Sequence, residues 1–242
     1  MKIAYETETV TLYQGKAEDV LPTLGAATVG LLVTDPPYGV KWQSNLRKEV
    51  FDVMLGDDGT LDLVPILRAA LRALRPRRHV YVFGSAAAPA DFTDLPLTGV
   101  TPLVWDKEQT GMGDLSLPRG PAHEAITFGV FIPDAGARKK GRGRLTARLR
   151  SGSVLRAHRP NGTGVRRHPT EKPVSLMRQI IESSSLIGDT VLDPFAGAGS
   201  TLVAALLCGR RAVGIELDPK HCATTVARLR AVEPILTELE AA

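Results

Sequence analysis

Residues 190–216 read TVLDPFAGAGSTLVAALLCGRRAVGIE and decide the fold. An apolar strand leads into a glycine-rich turn, an apolar helix and a second strand that ends in an acid. Gly197 and Gly199 allow the backbone to turn tightly and to approach a ligand closely, because neither carries a Cβ atom. Glu216 lies 19 residues after Gly197, where a carboxylate can accept hydrogen bonds from ribose hydroxyls. The segment predicts an adenosine-binding unit, with a plain packing turn as the alternative.

The residues around this turn distinguish between adenosine cofactors. A dinucleotide fingerprint requires a third glycine three residues after the second, and Leu202 stands at that position. Asp193, just before the turn, would repel a phosphate and suits a ligand that carries an ammonium group. S-adenosylmethionine carries one, so we expect this cofactor and disfavour an NAD-dependent oxidoreductase.

A second motif, Asp-Pro-Pro-Tyr at 35–38, follows directly after the apolar run 29–34. An exocyclic amine of a nucleobase is a poor nucleophile, because its lone pair is delocalised into the ring. Asp35 and the carbonyl of Pro36 can each accept one N–H of such an amine, and Pro36 with Pro37 holds both acceptors in place. Tyr38 offers a ring on which a flipped base can stack. The motif predicts a site for a base amine, with a strand-terminating turn as the alternative.

Alternating strands and helices extend over the rest of the chain. Helical spacing of apolar residues predicts a helix over 61–74 that Pro76 closes. Shorter apolar runs predict strands at 79–83, 103–105, 125–131, 190–192 and 211–215. Further helices are expected at 173–186, 201–208 and 221–232. This order predicts an α/β fold with a doubly wound, mainly parallel sheet.

Basic charge is concentrated in one stretch. Residues 138–167 contain 11 Lys and Arg and no Asp or Glu, although the whole chain has a net charge of only +4. Such a segment is typical of an element that binds phosphates, and a solvated loop is the alternative. The candidate DNA-binding residues are Arg138, Lys139, Lys140, Arg142, Arg144, Arg166 and Arg167.

Together these motifs resemble the beta group of the DNA amino-methyltransferase family, in which the catalytic motif precedes the cofactor motif. Residues 35–38 are similar to its catalytic motif, 193–200 to its cofactor motif and 214–216 to its ribose-binding acid. Residues 105–107, 123–124 and 168–173 resemble further family segments. The family usually has Gly-Asp near position 15, whereas Lys16 follows Gly15 here, so either Glu18 or Asp19 substitutes for that acid or its contact with the cofactor is lost.

The resemblance implies a Rossmann-like S-adenosylmethionine-dependent methyltransferase fold, with one domain over 1–242 and an inserted target-recognition region at 132–167. The implied catalytic residues are Asp35, Pro36, Pro37 and Tyr38. The implied cofactor-binding residues are Asp193, Phe195, Gly197, Gly199, Ser200, Glu216 and Lys172. His123 and Glu124 are expected to support the wall of the site.

We therefore expect methyl transfer to adenine N6 in duplex DNA by base flipping. Cytosine N4 methylation uses the same geometry and remains an alternative, as do an RNA substrate and a catalytically silent DNA-binding subunit. No metal is expected, because Cys208 and Cys222 match no metal-binding spacing. A cytoplasmic location, no membrane association, a homodimer and a cognate restriction endonuclease complete the expectations.

Overall fold

A computed structural model of the chain describes residues 1–37, 61–84, 92–110, 118–133, 151–158 and 171–240. Its strands are β1 (Lys2–Glu6), β2 (Val10–Gln14), β3 (Val29–Thr34), β4 (Leu74–Gly84), β5 (Leu97–Asp106), β6 (His123–Phe131), β7 (Val154–Arg156), β8 (Thr190–Asp193) and β9 (Arg211–Glu216). Its helices are α1 (Ala17–Val20), α2 (Leu63–Ala73), α3 (Val174–Ser184), α4 (Ser200–Leu207) and α5 (Pro219–Glu240). No helix in these ranges is long and apolar enough to cross a membrane.

The strands form one sheet in the order β1-β2-β9-β8-β3-β4-β6-β5-β7. Five of the pairings among these strands are parallel, including β3 with both β8 and β4, and three are antiparallel. The predicted α/β fold with a mainly parallel sheet is confirmed. Since β3 and β8 are parallel neighbours, the residues that follow them meet at one edge of the sheet.

Both faces of the sheet are covered by helices, which explains the continuous apolar run of β3. Leu31 and Val33 belong to the core on the face where α3 and α4 pack. Leu32 belongs to the core on the opposite face, under α2. All residues of β3 are buried, as expected for a central parallel strand.

The boundary between α2 and β4 differs from the prediction. The helix ends at Ala73 and the strand begins at Leu74, so Pro76 lies inside the strand and does not close the helix. The pairing register jumps from Val29–Leu74 to Leu31–His79, which leaves the residues between unpaired. Pro76 has no N–H to donate and is tolerated in such an irregular segment.

Three strands were not predicted from the sequence. β1 and β2 form an antiparallel hairpin that extends the sheet beyond β9, and β7 extends the opposite end by pairing with β5. All three are short, and β1 and β7 are mostly exposed edge strands with mixed polarity. β7 falls within the predicted recognition region 132–167, so part of that region continues the sheet.

Candidate active site

The glycine-rich turn between β8 and α4 has two left-handed residues with different surroundings. Gly197 has φ +53° and Gly199 has φ +78°, a region that side chains other than glycine rarely adopt. A Cβ atom at Gly197 would meet nothing within 4 Å, whereas one at Gly199 would lie 2.5 Å from Cγ2 of Thr225. Of the two, Gly197 therefore faces open space from which a ligand can approach, and Gly199 permits close packing against α5.

Glu216 holds the turn from the neighbouring strand. Its Oε2 accepts a hydrogen bond from the Gly197 amide at 2.8 Å, and its Oε1 accepts one from the Asp218 amide at 2.7 Å. A hydrogen bond to Glu216 raises the pKa of His221, whose Nδ1 lies 3.7 Å from Oε1. Each carboxylate oxygen has two lone pairs, so Glu216 can also accept hydrogen bonds from ligand hydroxyls.

Asp193 ends β8 with its side chain inside the protein. It is 2% exposed, and its Oδ1 accepts a hydrogen bond from the Phe195 amide at 3.1 Å. The pKa of Asp193 is raised to about 7, chiefly by burial and to a smaller extent by the charge of Asp35, against the lowering effect of hydrogen bonds from Thr201 and the Phe195 amide. Because a buried carboxylate is costly to ionise, a ligand cation beside it would be favourable.

Asp35 follows β3 and heads a series of buried ion pairs. Its Oδ2 lies 2.5 Å from Nζ of Lys172, and the same ammonium lies 3.1 Å from Oε2 of Glu124. Nζ of Lys107 lies 2.9 Å from the other oxygen of Glu124. Burial by itself would lower the pKa of Lys172, but the carboxylates of Asp35 and Glu124 outweigh it and raise the pKa.

The same balance applies to Glu124, and aromatic rings complete the surroundings. Burial would raise the pKa of Glu124, but Lys172 and Lys107 outweigh it and lower the pKa. The Lys172 ammonium lies 5.2 Å from the ring centroid of Phe83, and the Lys107 ammonium lies 5.5 Å from that of Trp105. Lys172 and Glu124 are therefore both charged near neutral pH. The ammonium of Lys172 thus holds the carboxylate of Asp35 at the end of β3, next to the strand that leads into the glycine turn.

Comparisons with known proteins agree with this geometry. A family model described as DNA methylase (N6_N4_Mtase) matches residues 130–227. The chain is 26% identical to the DNA adenine methyltransferase YhdJ of Escherichia coli (strain K12), covering 93% of this chain and 84% of YhdJ. The structure of TTHA0409 from Thermus thermophilus, complexed with S-adenosyl-L-methionine, matches with a TM-score of 0.62 and 25% identity, over 91% of this chain and 95% of that chain. The chain is therefore similar to amino-methyltransferases of DNA along most of its length.

Two further matches are narrower in what they show. The chain is 52% identical to the putative methylase YubD of Escherichia coli (strain K12) over 71 residues, which are 29% of this chain and 31% of YubD. It shares its fold with the cytosine-N4-specific PvuII DNA methyltransferase at a TM-score of 0.67, 15% identity, and 98% and 94% coverage of the two chains. Known relatives and fold neighbours therefore include both an adenine and a cytosine enzyme.

The structure brings most of the predicted catalytic and cofactor-binding residues to one edge of the sheet. Those predicted from the two motifs and described by the structure are Asp35, Pro36, Pro37, Asp193, Phe195, Gly197, Gly199, Ser200 and Glu216. Lys172 lies against Asp35 and Glu124 and was predicted as a cofactor ligand. Glu124 lies on the far side of Lys172 from Asp35 and pairs with Lys172 and Lys107.

Other predicted residues lie outside the described ranges. They are Tyr38 of the catalytic motif and the basic residues Arg138, Lys139, Lys140, Arg142, Arg144, Arg166 and Arg167. Glu18 and Asp19, expected to replace the family's usual acid, are exposed on α1. The amide of Gly15 donates to the carbonyl of Glu216 at 2.9 Å, so the start of this segment does reach the cofactor edge.

Sequence reasoning missed two residues of α5 that hold the glycine turn. The hydroxyl of Thr225 donates to the carbonyl of Gly197 at 2.8 Å. Nη1 of Arg228 donates to the carbonyl of Ala198 at 2.6 Å, and its Nη2 lies 2.9 Å from a carboxylate oxygen of Glu171. The sequence carried one signal for these contacts, the family-like segment 168–173 that contains Glu171.

Proposed function

We propose that this protein transfers a methyl group from S-adenosylmethionine to N6 of adenine in duplex DNA, with the target base flipped out of the helix. The observation that carries this proposal is the adjacency of β3 and β8, which sets Asp35 of the catalytic motif next to Asp193 of the cofactor motif. The two carboxyl groups are close enough that the charge of Asp35 helps to raise the pKa of Asp193.

The residues of the turn fit this cofactor. Open space at Gly197 allows a ligand to approach the backbone closely, and Glu216 retains lone pairs for ribose hydroxyls. Asp193 provides a buried carboxylate for an ammonium group. When bound, S-adenosylmethionine supplies an electrophilic methyl on a positively charged sulfur.

Asp35 and the Pro36 carbonyl then hold the target amine. Each accepts one N–H, which turns the lone pair of the nitrogen toward the methyl group. The nitrogen would take the methyl group as its bond to sulfur breaks, which would leave a neutral thioether, and the carboxylate of Asp35 would be the first acceptor of the N–H proton that the nitrogen loses. Tyr38 stacks on the flipped base in this proposal.

Adenine is favoured over cytosine for two reasons. The resemblance associates an acid at the first position of the catalytic motif with adenine, and Asp35 stands there. YhdJ, which aligns with nearly the whole chain, is named as an adenine methyltransferase. The fold shared with a cytosine-N4 enzyme keeps cytosine as the second candidate.

Recognition of DNA is assigned in this proposal to the inserted region 132–167 of a single-domain protein. Its basic residues would contact phosphates, which position the protein on DNA without reading the bases. We extend the proposal to a cytoplasmic restriction-modification setting, in which a homodimer and a cognate endonuclease would be found. Sedimentation with and without duplex DNA tests the dimer.

The decisive experiment identifies the methylated base. The protein is incubated with labelled S-adenosylmethionine and mixed-sequence duplex DNA, and the nucleosides are separated and analysed by mass spectrometry. We expect N6-methyladenine, lost in Asp35→Ala and retained in Asp94→Ala, which removes an exposed carboxylate elsewhere. N4-methylcytosine would overturn the choice of base. Cofactor binding without any methylated nucleoside would support the silent subunit instead.

A further inference from the structure

Four charged side chains form an unbroken series that ends on the catalytic carboxylate. Lys172 pairs with Asp35, Glu124 pairs with Lys172, and Lys107 pairs with Glu124. They come from three strand ends and from the segment before α3. The charges alternate in sign, so the series as a whole is neutral.

We propose that Lys172 and Glu124 are positioning residues for Asp35. The ammonium of Lys172 holds the carboxylate of Asp35 in the orientation that accepts the target amine, and Glu124 holds Lys172. This role rests on the proposed function and replaces the expectation that Lys172 binds the cofactor.

The place of Lys172 is defined on several sides. Its side chain is only 7% exposed, so its ammonium has exchanged water for two carboxylates. The ring of Phe83 lies 5.2 Å away and adds a cation–π contact. Because rearranging this ammonium would leave a buried charge without a partner, the position of the Asp35 carboxylate is defined as well.

Glu124 is held in place by two ammonium groups. One of its oxygens faces Lys172 and the other faces Lys107, which in turn lies over the ring of Trp105. A buried ion pair contributes little net stability, because desolvation offsets most of the attraction. A series of such pairs that ends on a reacting group is better explained by placement of that group than by stability.

The chemistry of the cofactor argues against direct contact with Lys172. S-adenosylmethionine carries two cations and one carboxylate, so a further unpaired ammonium beside the sulfur would oppose binding. Pairing with Asp35 and Glu124 removes that repulsion.

The test separates methyl transfer from cofactor binding. For Lys172→Gln, we expect the single-turnover rate on DNA to fall by about 10²-fold, the loss expected when a reacting group is misplaced by an ångström. The dissociation constant for S-adenosylmethionine, measured by calorimetry, should stay within about threefold. Lys172→Arg should recover part of the rate, because a guanidinium can donate to both carboxylates. Arg178→Gln, which removes an exposed pair on α3, is the control with wild-type activity.

Several outcomes would overturn the positioning role. A wild-type rate for Lys172→Gln would do so, as would a loss of cofactor affinity with an unchanged rate. If that variant does not fold, Glu124→Gln is measured instead, and an unchanged rate overturns the proposal. If the wild-type protein methylates no base, the proposed function fails. The orientation of the Asp35 side chain in crystals of wild-type protein and Lys172→Gln then decides, and an unchanged orientation refutes the role.

Discussion

Gly197→Ala and Gly199→Ala should impair different properties of the protein, although both glycines lie in one turn. Each has a left-handed backbone, with φ +53° at Gly197 and +78° at Gly199. A methyl group at 197 would point into open space, whereas one at 199 would lie 2.5 Å from Cγ2 and 2.9 Å from Oγ1 of Thr225. We expect Gly197→Ala to impair cofactor binding and Gly199→Ala to impair folding.

The magnitudes follow from these contacts. A side chain in the left-handed region costs about 1–2 kcal/mol, and both variants carry that cost. Gly199→Ala adds overpacking of about 1–3 kcal/mol against Thr225, for a total of roughly 2–5 kcal/mol. At about 2–4 °C per kcal/mol, Tm should fall by roughly 2–8 °C for Gly197→Ala and roughly 4–20 °C for Gly199→Ala. If the cofactor occupies the open space, overpacking at Gly197 should weaken its binding by roughly ten- to hundredfold.

Thermal unfolding without ligand and calorimetric titration with S-adenosylmethionine measure the two effects. Thr225→Ser is the matched second change, because it removes the clashing Cγ2 and keeps the hydroxyl that donates to Gly197. In the Gly199→Ala background it should recover part of the lost Tm. Wild-type cofactor affinity in Gly197→Ala, or equal losses of Tm in both variants, would refute this account of the turn.

Three further changes test other parts of the structure. The pKa of Asp193 is raised by burial from 3.8 to about 7, so the folded state keeps a proton that the unfolded chain has lost. The contribution of Asp193 to the free energy of unfolding should therefore fall as pH rises through this range, and this fall should be absent in Asp193→Asn when urea titrations of the two proteins are compared. Arg228→Lys keeps the charge but loses the forked donor that holds the carbonyl of Ala198, so calorimetry should show about tenfold weaker cofactor binding. Trp105→Phe leaves the buried carbonyl of Ala157 without its donor and should lower the free energy of unfolding by about 1–3 kcal/mol in urea.

Each of these expectations has a contrary result. An unchanged pH dependence in Asp193→Asn would show that another group titrates in that range. Wild-type cofactor affinity in Arg228→Lys would mean that one donor suffices for the turn. Wild-type stability in Trp105→Phe would mean that water replaces the indole as the donor to Ala157.

The centre of the fold was predictable because burial on both faces leaves an unbroken apolar signal. β3 is buried throughout. Its neighbour β8 leads into a turn with two glycines, a pattern typical of a binding loop. The edge strands β1 and β7 carry no such signal, because most of their residues are exposed to solvent and polar side chains are tolerated there. The early start of β4 was missed because Pro76 normally ends an element, and here it occupies an irregular stretch.

The site divides in a similar way. Asp35, Asp193 and Glu216 follow strands directly, so their meeting at one sheet edge could be predicted from the parallel arrangement. The pairing of Lys172 with Asp35 joins residues 137 positions apart, and the contact of Arg228 with Ala198 depends on how α5 packs on the turn. No sequence period or local spacing indicates either contact, so neither could be predicted without the folded structure.

Glu171 and Lys172 are consecutive residues whose side chains make ion pairs on two different sides of the site. Glu171 pairs with Arg228, which holds the cofactor turn, and Lys172 pairs with Asp35. One peptide unit, about 3.8 Å between Cα atoms, therefore links the contacts of the glycine turn with those of the residues that follow β3. Residues 124, 171, 172 and 228, which make these contacts, all lie outside the region 132–167. If the region 132–167 recognises the target sequence as proposed, an exchange of that region for another would leave these contacts in place.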